Sequence, residues 1–283
     1  MEIDLVVQAL VGNRIKHIEH ESLNRIYAGY SQKYGKNVFI KAYKQGQQNK
    51  FLVELAVNRQ LNNRYLGQKR LTTMIDDFSY ILILEDLSPK DLDWPNNEEK
   101  LAHEMGRQVA LFHTTVQPVQ GMPNTTDLVK IVEASIMTVV SKETRDALLH
   151  INEKFHDNRH FWNDLKMTES AVLHGDVGVR NFKIIENEVA LIDFERARVG
   201  IKYVDFVKLF YQDFRLDSKL IDAFKAGYLK IGTLEEISEN IKWYAIFYTA
   251  IGIYKYTEKI DDQNFKLIGE QMLDDCCRFL ALT

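Results

Sequence analysis

Cysteine is almost missing from these 283 residues; the two present, Cys276 and Cys277, are neighbours. That excludes a disulfide framework and a cysteine-built zinc cluster, and it suits a reducing compartment. With only four prolines and 14 glycines, the chain lacks the composition of long flexible linkers. Long apolar runs are missing too. The longest uncharged one, residues 243–254, is closed off by Lys242 and Lys255 and falls well short of the roughly 20 residues a membrane helix needs. Acids at Glu2 and Asp4 stand where a signal peptide would carry basic residues. A cytoplasmic protein with no membrane partner is expected. Positive charge is not in excess: 36 Lys and Arg face 40 Asp and Glu, a net charge of −4, so no nucleic-acid partner is expected. No GxGxxG, GxSxG or HExxH occurs, and Gly29…Gly35-Lys36 lacks both the spacing and the Ser/Thr of a phosphate-binding P-loop. His156 and His160, four apart on a predicted helix, lie among polar neighbours and read as a solvated face.

What is present is a globular composition, 46% hydrophobic and 27% charged. The first third reads as short strands. Residues 24–30 and 37–43 are rich in aromatic and branched side chains around a polar, Gly-containing turn, and 71–75 and 80–84 flank Asp76-Asp77. Between these hairpins, residues 47–61 contain no Gly or Pro and read as a helix. After Leu87 helical patterns take over, at 98–114, 127–140, 142–165, 218–230, 234–257 and 262–282. One β island, residues 182–185 and 189–192 around Glu186-Asn187, interrupts them. The expectation is an α+β chain of two lobes: a small antiparallel sheet lobe at residues 1–86 and a larger, mostly helical lobe at 87–283. The first carries a net charge of +3 and the second −7.

Chemistry concentrates in residues 173–195, LHGDVGVRNFKIIENEVALIDFE. Asp176 and Asn181 are five apart in a Gly-containing loop. The β island then delivers Asp193 at the end of an apolar strand, where rigid backbone can hold a carboxylate in place. Two Asp and one Asn converging from these positions offer the hard oxygen ligands that Mg²⁺ prefers, with phosphates completing its shell. A second signal is Glu54, one carboxylate inside the apolar run FLVELAV. Buried unpaired it would cost several kcal/mol, so it either has a cation partner, for which Lys41 on the preceding strand is the obvious candidate, or stands exposed on a helix with an apolar back.

The pattern His174-Gly175-Asp176…Asn181 followed by Asp193-Phe194 resembles the catalytic core of protein-kinase-like phosphotransferases. The Gly after His174, and IDFE in place of DFG, look like the small-molecule branch, the aminoglycoside phosphotransferases and choline kinases. Asn24-Arg25-Ile26-Tyr27, Val38-Phe39-Ile40-Lys41, Val109-Ala110-Leu111-Phe112-His113 and Tyr203-Val204-Asp205 resemble further segments of that family, in the same order along the chain.

The resemblance implies a protein-kinase-like fold and an enzyme that moves the γ-phosphoryl group of ATP or GTP to a hydroxyl of a small molecule. It implies Asp176 as the catalytic residue, Asn181 and Asp193 as Mg²⁺ ligands, and Lys41, oriented by Glu54, on the donor phosphates. The base of the nucleotide is expected on backbone groups of Glu85, Asp86 and Leu87. Asp205 is expected to anchor the catalytic loop, and His174 to be structural. Glu195 is expected near the metal or lining the acceptor site, and Arg180 either on the acceptor or paired with Glu195. The nucleotide loop is expected at residues 31–36, with Ser22, Ser31 or Lys33 assisting backbone groups on the phosphates; it lacks the Gly-rich pattern of protein kinases. The net −7 of the larger lobe, with acid pairs Glu235-Glu236, Asp261-Asp262 and Asp274-Asp275, suggests an amine-bearing acceptor such as an aminoglycoside or amino alcohol. Trp243, Tyr244, Phe247, Tyr248 and Tyr254 would either wall that acceptor or fill the core.

Overall fold

The computed structural model describes residues 2–12, 14–19, 24–61, 64–234 and 237–282. In chain order the elements are α1 (Ile3–Val11), β1 (Ile15–Ile18), β2 (Arg25–Ser31), β3 (Lys36–Lys44), α2 (Gln48–Gln60), β4 (Tyr65–Ile75), β5 (Phe78–Glu85), β6 (Lys90–Asp91) and α3 (Glu98–Thr115). Then follow α4 (Leu128–Ile136), α5 (Lys142–Asp157), α6 (Phe161–Met167), β7 (Ser170–Leu173), β8 (Phe182–Ile185), β9 (Glu188–Leu191) and β10 (Arg198–Ile201). The chain ends with α7 (Val204–Lys208), α8 (Ser218–Tyr228), α9 (Glu239–Thr257) and α10 (Gln263–Phe279).

Strands β1 to β5 form one antiparallel sheet in the order β1-β2-β3-β5-β4. Side chains alternate across its two faces. Val38, Ile40, Ala42, Ile81 and Ile83 pack under Ile3, Val7 and Val11 of α1. Tyr43, Tyr80, Leu82 and Leu84 pack against Phe51 and Leu55 of α2 on the other face. Helices on both sides explain why seven of the eight residues of β5 are buried. Lys41 alternates onto the α2 face, which brings it to Glu54.

The larger lobe has two apolar cores. One joins α3 and α8 to the β8–β9 hairpin, the other joins α4 and α5 to α9 and α10. Helices α3 and α8 touch backbone to backbone. A Cβ added at Gly106 would meet the Phe224 carbonyl at 2.0 Å, and one at Gly227 would meet the His103 carbonyl at 1.8 Å. Only glycine permits that approach. The hairpin turns fall where the sequence puts them: Asp76-Asp77 and Glu186-Asn187 all have positive φ, as tight two-residue turns require.

Some elements differ from the sequence expectation. The helix expected over 142–165 is two helices. The Asn158 side chain accepts from the His160 N–H at 3.0 Å, a local turn that competes with helix continuation. The helix expected from 234 begins at Glu239, where the Ser238 hydroxyl caps it. Helix α1, strand β1 and the β7–β10 pair were not anticipated. Among the described residues, no helix is long and apolar enough to cross a membrane.

Candidate active site

The site lies where the sheet lobe meets the β8–β9 hairpin and the loop after β7. From the sheet, Lys41 Nζ bonds Glu54 Oε1 at 2.9 Å and Oε2 at 3.0 Å, and the Tyr43 hydroxyl also donates to Glu54. The expected Lys41–Glu54 pair is formed, and Glu54 is only 1% exposed. Lys41 also crosses to Asp193 Oδ1 at 2.6 Å. Burial works against the Lys41 charge, but Glu54 and Asp193 outweigh it and hold the ammonium above the usual lysine value. Burial pushes the Glu54 carboxyl up, and Lys41 pulls it back. Asp193 follows β9 with φ of 68°, a left-handed backbone that Asp tolerates better than most residues. Burial opposes its charge too, but Lys41 holds the carboxyl below its ordinary value.

The loop after β7 carries Asp176. Gly175 has φ of 82°, and a Cβ there would meet the Arg196 carbonyl at 2.2 Å. That explains glycine between His174 and Asp176. The loop is clamped by Asp205, which is buried and accepts from the N–H groups of His174 (2.6 Å) and Gly175 (2.8 Å). The His113 ring meets the same carboxylate at 3.1 Å and the Tyr228 hydroxyl at 2.9 Å. His174 Nε2 donates to the Ile192 carbonyl at 2.9 Å, and its Nδ1 accepts from the Asp176 N–H at 3.3 Å. This pattern fixes a neutral ring, and burial lowers the His174 pKa in the same sense. Both ring nitrogens are engaged inside the protein, tying the Asp176 loop to the residue before Asp193. Asn181 Nδ2 donates to the Asp176 carbonyl at 2.7 Å, which leaves Oδ1 as the amide's acceptor atom.

Asp176 itself is ringed by cations. Lys208 of α7 bonds Oδ1; Arg180 bonds Oδ2 at 2.8 Å, and Arg196 stands 3.9 Å from it. Burial opposes the charge on Asp176, but these three cations win and hold its carboxyl well below the usual range. The sequence reading missed Arg196 and Lys208. They come from separate segments, and only the fold brings them to Asp176.

Other expectations are corrected. Arg180 pairs with Asp176, not Glu195; Glu195 instead bonds Lys50 of α2 and Asn24, both at 2.7 Å. Residues 31–36, expected as the nucleotide loop, form the turn between β2 and β3. Strand register sets Ile26 opposite Lys41, so Lys41 lies toward the end of the sheet where β2 begins. Residues 31–36 turn at the other end, near Glu85, where the Ser31 hydroxyl is buried on the Val11 carbonyl at 2.6 Å and Lys36 pairs with Glu85 at 2.7 Å. Lys33 sits over the Tyr34 ring. Ser22 and the Glu235-Glu236 pair lie outside the described residues.

At the lobe junction, the N–H groups of Glu85 and Asp86 are bonded to the carbonyls of Arg64 and Asn37. Leu87 makes no hydrogen bond among the described residues, so its backbone groups are available there. The acid pairs of the larger lobe have local work: Asp262 caps α10, and Asp275 accepts from Tyr211 and pairs with Arg278. Tyr244 and Phe247 are core residues, Trp243 stacks on Phe279, and Tyr248 packs half-buried against the same core, while Tyr254 is half-buried.

Among the described residues, one group of acids could hold a metal ion: Glu54, Asp193 and Glu195, whose oxygens lie within 4.8 Å of one another. All donors are carboxylate oxygens, the Asn181 amide lies on the same loop system, and the Lys41 ammonium already stands against Asp193. This set fits a hard divalent cation.

No curated protein matches the chain by sequence. Solved structures match its fold. An amicoumacin kinase in complex with AMP-PNP, Ca²⁺ and amicoumacin superposes with a TM-score of 0.70 at 12% identity, covering 96% of this chain and 93% of that one. A choline kinase from Streptococcus pneumoniae gives 0.62 at 16% identity, covering 99% and 98%. A thermostable mutant of an aminoglycoside phosphotransferase gives 0.67 at 12% identity, covering 100% of both. The family model of the phosphotransferase enzymes matches residues 54–239, a span that begins at the partner of Lys41 and takes in the whole Asp176–Asp193 segment. With more than half of its length inside that match and a kinase-like fold around it, the chain belongs to the phosphotransferase enzyme family and is a small-molecule kinase.

Proposed function

We propose that this kinase transfers the γ-phosphoryl group of ATP or GTP to a hydroxyl of a small molecule between its lobes, residues 1–86 and 87–283. The observation that carries the reading is the convergence of Lys41, Asp193 and Asp176 from three separate elements. Lys41 holds donor phosphates, and Glu54 with Tyr43 keeps its ammonium aimed. Leu87 offers the base a free backbone edge. Asp193, Asn181 and Glu195 are the residues that would hold Mg²⁺, which, when bound, neutralises phosphate charge during transfer.

Asp176 receives the acceptor hydroxyl. The hydroxyl oxygen forms the new bond to phosphorus, and the bond from phosphorus to the bridging oxygen breaks. The nucleoside diphosphate leaves with that electron pair, and the hydroxyl proton passes to Asp176 and on to solvent. A carboxylate held so far below its usual pKa is a weak base, so its contribution is orientation more than proton removal, as suits a loose transition state.

An amine-bearing acceptor, an aminoglycoside or amino alcohol, finds no support in the side chains around Asp176, which are cationic. The test of the reading separates two acids. Asp176→Asn is expected to abolish transfer while leaving the thermal shift by Mg²⁺-nucleotide nearly intact. Asp193→Asn is expected to lose that shift, which amounts to about 2.7 kcal/mol at a ligand concentration 100 times its Kd. Equal loss of shift in both variants refutes these roles.

A further inference from the structure

The charges around Asp176 exceed what one carboxylate needs. Lys208 alone neutralises it, yet Arg180 and Arg196 are drawn to the same group. The side chains of these arginines are 67% and 54% exposed, whereas that of Asp176 is 7% exposed. They therefore stand on the solvent side of the carboxylate, the side from which an acceptor must arrive. The next acid, Asp213, is half-buried; its Oδ2 accepts from the Val179 N–H at 3.1 Å, and Lys208 and Arg180 act on its charge. The remaining carboxylates of the site, Asp193 and Glu195, pair with Lys41 and Lys50. Arg198 adds a further cation, its guanidinium bonded to the Gly175 carbonyl at 3.1 Å. The rim of the acceptor approach thus carries two exposed guanidinium groups, Arg180 and Arg196, that share Asp176 with Lys208, while Asp213 and Asp193 act on Arg180 from further off and Arg198 faces Asp205.

A hydroxyl docking on Asp176 displaces part of this ion pairing. The freed guanidiniums then need an anion, and their planar forks match a carboxylate or phosphate by two parallel hydrogen bonds. An ammonium arriving there meets repulsion instead. The donor phosphates have Lys41 and the acid cluster that would hold a metal on their own side, so a role for both exposed arginines on the donor is not required.

We propose that the acceptor is a hydroxylated anion, a hydroxy acid or a phosphate-bearing alcohol, whose acid group is held by Arg180 and Arg196 while its hydroxyl meets Asp176. The inference rests on the phosphotransferase reading, and the experiment keeps the two apart. Nucleoside diphosphate release is measured with Mg²⁺-ATP and Mg²⁺-GTP on matched acceptors: glycerate, glycerol 3-phosphate, glycerol and 3-amino-1,2-propanediol, and gluconate, glucose and glucosamine. The acid members are expected to exceed their neutral and amine counterparts in kcat/KM by about tenfold or more, with the preference falling as salt rises. Whether carboxylate or phosphate wins identifies the acid group.

In Arg180→Gln/Arg196→Gln the acceptor KM is expected to rise by about tenfold, with the nucleotide KM within about twofold of the parent. A neutral or amine preference overturns the proposal. So does a double variant that raises the nucleotide KM alone, which would assign the arginines to the γ-phosphate. A second measurement covers acceptors outside these sets. With protein saturated by Mg²⁺-AMP-PNP, malonate or inorganic phosphate is expected to raise Tm in the parent and not in the double variant, and putrescine to give no shift. Equal shifts in both proteins, or a shift with putrescine only, overturn it. Failure to bind Mg²⁺-AMP-PNP at all would instead strike the phosphotransferase reading.

Discussion

Glu54 shows how a single buried charge is kept useful. It lies on α2 with Lys41 and Tyr43 both donating to it, and removing its charge leaves the fold its shape but takes away the counter-ion that aims Lys41. In Glu54→Gln, Lys41 keeps Asp193 as its remaining carboxylate and is drawn toward it. Lys41 is then held away from donor phosphates and competes with the metal for Asp193. Turnover is expected to fall by about tenfold or more, equivalent to about 1.4 kcal/mol in the barrier, while the thermal midpoint moves little because Lys41 remains paired. Steady-state kinetics beside a thermal melt checks this, and activity within about threefold of the parent would break the argument. Tyr43, whose hydroxyl is pushed to higher pKa by burial and by Glu54, stays a donor throughout the working range.

At the scale of elements, the α3–α8 contact sets the frame on which the loop-clamping His113 and Tyr228 sit. Gly227→Ala drives a methyl into the His103 carbonyl, so the helices must separate. A loss of about 1–3 kcal/mol is expected in urea unfolding. Gly252 of α9 is the control: it is exposed, and a Cβ there meets nothing within 4 Å. Gly252→Ala is expected to gain about 0.5–1 kcal/mol from helix propensity. If both substitutions behave alike, backbone contact is not what α3 and α8 require.

The same scale explains what the sequence made legible. The β8–β9 hairpin and the loop bearing Asp176 and Asn181 are contiguous, so their chemistry could be read along the chain. The Glu54 pairing could be read because a lone acid in an apolar run demands a cation. Strand β1 could not: IKHI buries only Ile15, and without alternating apolar residues it carries no strand signal. Helix α1 does carry a signal, Ile3, Val7 and Val11 four apart. The cations around Asp176 come from positions 180, 196 and 208, and no local pattern joins them.

For the whole molecule, the buried ionisable groups set how stability follows pH. Asp176, Asp193 and Asp205 are held below their ordinary values by cations and donors that outweigh burial, and His174 is held below its own by burial. Each lowered group contributes stability that is complete above its unfolded pKa and is lost as pH falls from there toward the folded value. For the aspartates that loss begins near about pH 4, but for His174 it begins near about 6.5. Glu54 and Asp213, raised by burial, run the opposite way: they favour the folded state as it takes up protons below their raised values. The window just below neutrality therefore belongs to histidine. His156, also lowered by burial, adds a smaller part because it is less enclosed. Stability to urea is expected to fall, through His174, as pH drops from about 7.5 to 6.0. Over the same range the His174 ring should stay neutral in the folded protein by NMR, since both its nitrogens are committed and Nδ1 has no room for a proton beside the Asp176 N–H. A ring that titrates at the ordinary histidine value, or stability unchanged across that window, would show that His174 is not locked, and with it that the Asp176 loop is free to move relative to Ile192 and Asp193.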